Sequence, residues 1–230
     1  MLPTKAAIGL TSTERLTTGI TGFDEMVAGG VYRGSVTLIA GASGTGKTTA
    51  CLQLLMANAK NGEKTLYLSF EEPVGQVMRT LKNYSLDYEK LSDRFTIESY
   101  VPEALTPLHY YTLIRNHVET FKPTILALDT LTAVQRTLSE EDFITFVRYL
   151  QLICKERGLT AIVTSASRTM AEATGSGIST LADNIILMRY KEVEKTMTRE
   201  IVILKTRGTT HERKVRLFEI TDRGIVLSAD

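Results

Sequence analysis

The stretch VTLIAGASGTGKTTACLQLL, residues 36–55, decides how the rest of this chain is read. Val36 to Ala40 form a short apolar run that reads as a buried strand, and from Gly46 to about Lys60 apolar residues recur at helical spacing. Between them, Gly41 to Thr48 matches GxxxxGK[ST] at every fixed position. The glycines at 41, 44 and 46 let the backbone bend until successive N–H groups point at phosphate oxygens. The following helix directs the positive end of its dipole at the same place. Ser43, Gly44, Thr45, Gly46 and Thr49 therefore line the expected nucleotide site. Lys47 reaches the β and γ phosphates, and the Thr48 hydroxyl ligates Mg²⁺. A chance Gly-rich turn would reproduce the letters without the strand before them and the helix after.

Outward from the loop, strands and helices alternate. TLYLSF at 65–70 precedes a helix carrying Val74, Val77, Met78 and Leu81. FTIES at 95–99 precedes one that presents Tyr111, Ile114, Val118 and Phe121. TILALD at 124–129 is followed by a helix with Phe143, Val147, Leu150 and Cys154 on one face, stopped at Gly158, and then by the strand LTAIVTS at 159–165. Such alternation predicts an α/β fold, a mostly parallel twisted sheet with flanking crossover helices. NIILMRY, EIVILK, KVRLFEI and GIVLS are joined by connections too short for helices, which predicts a C-terminal antiparallel extension. Residues 1–14 show no sustained period and read as an arm or linker before one domain over 15–230.

Composition removes several classes. With 27 Lys plus Arg against 26 Asp plus Glu among 230 residues, there is no basic footprint of a dedicated DNA binder. Cys51 and Cys154 fit no metal spacing and read as buried thiols. No apolar run approaches the ~20 residues that span a bilayer, so no membrane association and a cytoplasmic location are expected.

A phosphate loop needs a carboxylate for the magnesium shell, and Asp129 ends the apolar run TILALD. It also needs a group to orient the attacking water. Glu71 and Glu72 stand side by side after LYLSF, and at most one of them can face the γ-phosphate. Glu71 is the member of the pair counted with Thr48 and Asp129 as a metal group.

The phosphate loop, FEE at 70–72, LALDTLTA at 126–133 and ILKTRGTTHERKVRLFEITDRGI at 203–225 together resemble the KaiC branch of the RecA-like P-loop ATPases, over about Arg15 to Val226. KaiC carries two such domains in tandem, and this chain resembles one of them, the second, autokinase-type domain most closely. The resemblance implies an ATPase with ATP and Mg²⁺ as cofactors, a homohexameric ring, and sites completed by the adjacent subunit. Lys205 and Arg207 are the implied catalytic fingers in trans, with His211 and Asp222 contacting nucleotide and Tyr84 placed against adenine. Ser179 and Thr180 align with the pair that the autokinase domain phosphorylates. A KaiB-like or other regulatory protein is the implied partner.

Two other readings compete. A recombinase-like protein would bind DNA through Arg168 to Gly177, but that stretch has a single basic residue and no aromatic, so nucleic acid is not the expected partner. A nucleotide-gated assembly factor would use ATP to control docking with little turnover.

Overall fold

A computed structural model describes residues 12–228 except 85, 87, 168 and 176, and the backbone alone at 174, 175 and 177. Most of the expected arm, residues 1–11, and Arg168 of the alternative DNA loop lie outside the described residues.

Two short strands, β1 (Arg15–Leu16) and β2 (Val31–Tyr32), pair antiparallel around the small helix α1 (Phe23–Met26). The main sheet comprises β3 (Val36–Gly41), β4 (Thr65–Ser69), β5 (Phe95–Ser99), β6 (Ile125–Asp129), β7 (Thr160–Ala166), β8 (Asn184–Val193), β9 (Thr196–Thr206), β10 (Arg216–Thr221) and β11 (Gly224–Leu227). Its nine strands run in the order β11-β10-β9-β8-β3-β7-β6-β4-β5. The pairs from β5 through β8 are parallel, and β9, β10 and β11 are added antiparallel. The expected antiparallel extension therefore begins one strand later than its first segment, because β8 returns beside β3 through the helices α7 (Met170–Gly175) and α8 (Gly177–Leu181).

Strand alternation divides the core in two. Ile39, Tyr67, Ala127 and Ile162 face α2 (Lys47–Lys60) and α3 (Val74–Asn83). Leu38, Leu66, Leu126 and Val163 face α4 (Pro107–Thr120), α5 (Leu131–Thr137) and α6 (Glu140–Arg157). Phe143, Val147, Leu150 and Cys154 are buried on α6, which ends on Gly158 in the left-handed region at φ 64°. On α4 the buried stripe is Tyr110, Ile114 and Val118, so the expected Ile114 and Val118 are in it, Tyr110 is added, and Tyr111 and Phe121 pack against it partly buried. Tyr111 sits at the edge of that stripe, edge-on to Tyr149 with centroids 4.9 Å apart. Both cysteines are buried and free. Among the described residues no helix is long and apolar enough to cross a membrane.

Arg33 ties the end of β2 to the strand ends below it. Its guanidinium donates to Glu14 at 2.9 Å and Glu63 at 2.6 Å, and Thr124 donates to Glu63 at 2.5 Å. The Arg33 hydrogen bond holds the Glu63 carboxyl below its usual pKa. A depressed folded-state pKa means stability that is present above the unfolded value and lost as pH falls through the folded one. Arg33→Met should therefore cost about 1–3 kcal/mol at neutral pH. Urea unfolding should show the difference shrinking below about pH 4.

Candidate functional site

The loop Gly41–Thr48 stands at the C-terminal edge of the parallel strands, where β3 ends and α2 begins. Thr45 is buried and its hydroxyl donates to the Ala42 carbonyl at 2.8 Å, while Ser43 and Gly44 are exposed. The Lys47 ammonium lies over the loop, donating to the carbonyls of Gly41 at 2.8 Å and Ala42 at 2.9 Å. Burial lowers its pKa, opposed by the charges of Asp129 and Glu71. Glycine is required at 46, where φ is 107° and a Cβ would stand 2.9 Å from the Ile220 side chain. Thr49 is buried behind the loop.

Asp129 reaches the loop because of strand parity. It falls on the same face of β6 as Ile125 and Ala127, the face covered by α2. The Thr48 hydroxyl, in the first turn of α2, donates to Asp129 Oδ2 at 2.6 Å. The Tyr67 hydroxyl donates to the same oxygen at 2.5 Å, and Thr164 donates to Oδ1. Asp129 thus carries hydroxyl donors from α2, β4 and β7, although it is only 5% exposed.

Glu71 and Glu72 leave β4 on a bend, with both backbone amides donating to Ser69 Oγ at 3.4 and 2.9 Å. The two side chains part company. Glu71 is exposed and contributes to the field at Lys47; Glu72 is half-buried, and its Oε2 is a buried oxygen with no hydrogen-bond donor among the described residues. Burial, the Asp129 charge and Glu71 raise the Glu72 pKa, against a lowering hydrogen bond from Gln76. Both acids line a cleft of about 430 Å³ that also includes Tyr100, Glu103, Thr132 and Arg136.

Lys205 and Arg207 are elsewhere. Thr206 pairs with Asn184, which pairs with Thr37 near the start of β3, whereas the phosphate loop leaves at Gly41. Four residues of strand, about 13 Å, separate the two levels. There Lys205 Nζ donates to the carbonyls of Ser179 at 2.9 Å and Ala182 at 2.7 Å, and Arg207 donates to that of Thr180 at 2.8 Å. The segment after them is docked on the N-terminal ribbon through Arg15 to Thr209 Oγ1 at 2.9 Å and the Glu212 amide to the Met26 carbonyl at 2.9 Å. His211 lies in it, half-buried.

A family model of the KaiC ATPase matches residues 16–230. The chain belongs to the KaiC ATPase family. It is 31% identical over 216 residues to the circadian clock protein KaiC3 of Synechocystis sp., a match covering 92% of this chain and 43% of that protein. It is 32% identical over 218 residues to the circadian clock oscillator protein KaiC of Synechococcus elongatus, covering 93% of this chain and 42% of that protein. The KaiC of Thermosynechococcus vestitus matches to the same extent. This chain spans less than half the length of these curated relatives.

In this KaiC-family domain the remaining expected residues fall in three places. Asp222 is 86% exposed in the β10–β11 turn, at the loop end of the sheet and not beside Lys205. That turn is held to α2 by Gln53, which accepts from the Ile225 amide at 2.7 Å. Tyr84 is half-buried at the C-terminal end of α3. Of the expected phosphoacceptors, Ser179 is 5% exposed and Thr180 faces solvent.

Four side chains at the site escaped sequence reasoning. Tyr67 and Thr164 read only as strand residues. Tyr190 and Arg199 lie on the β8–β9 hairpin, whose tip passes the phosphate loop. The Tyr190 hydroxyl sits against Gly44, and Arg199 Nε donates to the Gly44 carbonyl at 3.4 Å. Only the register of β8 against β3 brings them there, and no local motif marks it.

Proposed function

We propose that this domain binds and hydrolyses ATP with Mg²⁺ and does so as a homohexameric ring, each site being completed by the adjacent copy. One division carries the reading: loop, Thr48, Asp129 and Glu71 gather at one end of the sheet, while Lys205 and Arg207 sit about 13 Å lower, out of reach of the loop in their own chain. Fingers so placed can act only on a neighbour's nucleotide.

The residues present fit Mg²⁺. The protein offers the Thr48 hydroxyl and the carboxylates of Asp129 and Glu71 as hard oxygen donors, and among the described residues there is no cluster of three or more His, Cys, Asp or Glu that would form a cage. That is the donor set of an ion held mostly by phosphates and water. Bound there, the ion would offset phosphate charge. Lys47 and the loop amides bind the β and γ phosphates, Asp129 keeps Thr48 oriented, and Glu71 accepts a hydrogen bond from the attacking water. Glu72 backs Glu71 from the cleft.

The test is turnover against protein concentration, with native mass spectrometry of the protein in ATP and Mg²⁺. Activity should rise with assembly. Lys205→Ala with Arg207→Ala should lower kcat by about 10³-fold or more while ATP still binds. Equal turnover by monomer and ring would remove the trans arrangement.

Autokinase activity is a second reading, and exposure favours Thr180 over Ser179 as its acceptor. The same spectra decide it, since unmodified protein after prolonged turnover excludes it. A KaiB-like or other regulatory protein is the partner class that goes with the ring.

A further inference from the structure

Tyr67, on β4 next to the edge strand β5, is 0% exposed. Its hydroxyl donates to Asp129 Oδ2, the oxygen that also accepts from Thr48. Thr164, equally buried, takes the other oxygen. A carboxylate at the end of a strand turns readily about its last torsion, which has broad, roughly two-fold minima. Here one donor from each flanking strand removes that freedom, leaving Oδ2 pointed at the Thr48 hydroxyl. The register explains why these two residues do it: Tyr67 pairs with Ala127 and Ile162 with Ala127 from the other side, so Tyr67, Asp129 and Thr164 share one face near the ends of three adjacent strands.

We propose that Tyr67 is a positioning residue for the metal: with Thr164 it fixes the Asp129 carboxylate so that the Thr48–Asp129 pair is preset to hold Mg²⁺ on the nucleotide. The proposal rests on the Mg²⁺-dependent ATPase reading above and adds a residue to it. A purely structural tyrosine would stabilise the sheet without affecting the metal. Partners that orient a metal-binding carboxylate tune affinity, and their loss costs about 10-fold or more.

Tyr67→Phe separates the two. It keeps the ring and its packing and removes the donor. Binding of Mn²⁺ to the protein with ADP, followed by electron paramagnetic resonance, should weaken about 10-fold. The Mg²⁺ concentration giving half-maximal turnover should rise by a similar factor, more than kcat falls. ADP affinity in EDTA should stay at the wild-type value, since no metal is then held. Thr164→Val should move the metal readouts in the same direction, so the proposal remains testable if either variant folds poorly. A folded Tyr67→Phe with wild-type Mn²⁺ binding and Mg²⁺ dependence overturns the positioning role and leaves the ATPase reading intact. Wild-type protein whose nucleotide binding and turnover ignore Mg²⁺ overturns both.

Discussion

Glu71→Gln should lower kcat for ATP hydrolysis by about 10²–10⁴-fold, the range expected on losing a general base, and leave ATP affinity nearly unchanged. Glutamine keeps the shape of the side chain and can still touch water, but it cannot take the proton. Glu71 is assigned this part over Glu72 on two observations. It is the acid whose charge is felt at Lys47, and it is exposed to the solvent from which the attacking water comes. Glu72 is half-buried with a buried oxygen that has no hydrogen-bond partner among the described residues, so Glu72→Gln should cost less. Single-turnover rates for the two variants, measured on assembled protein, decide between them. A larger loss in Glu72→Gln would reverse the assignment.

Lys47→Met should abolish tight nucleotide binding, raising the Kd for ATP·Mg²⁺ at least about 100-fold. Two charge-assisted hydrogen bonds to phosphate are worth about 1.5–3 kcal/mol each. Methionine retains the apolar stem, so the loss is one of charge and donors and not of packing. The fold should survive, because among the described residues the donors removed serve the carbonyls of Gly41 and Ala42 in the loop itself. Calorimetric titration together with a thermal melt checks both halves. Near-wild-type affinity in a folded variant would mean that the loop amides alone bind the nucleotide.

Much of this was legible because the signals are local. The loop motif, the apolar run ending at Asp129 and the helix stopped by Gly158 each sit within a few residues. Elements were missed where the local signal is weak or contradicts the outcome. β1 and β2 have two residues each, too few for alternation to register. α5 has seven, wedged between Asp129 and Ser139. The β8–β9 hairpin turns on Glu194 and Lys195 at φ 47° and 66°, where Asn-Gly would have announced it. Its strands consequently run past the segments NIILMRY and EIVILK that apolar content marked.

The chain alone reveals a phosphate loop, the acids that go with it and the α/β alternation that carries them, since each depends on residue type and short spacing. Which residues meet is a matter of register and strand order, and these are long-range. Parity on β6 turns Asp129 toward Thr48, and the three-strand neighbourhood of β4, β6 and β7 places Tyr67 and Thr164 on its carboxylate. The antiparallel return of β9 carries Lys205 and Arg207 away from the loop of their own chain. A sequence can name such residues, but only the folded sheet shows that they stand at opposite ends of it.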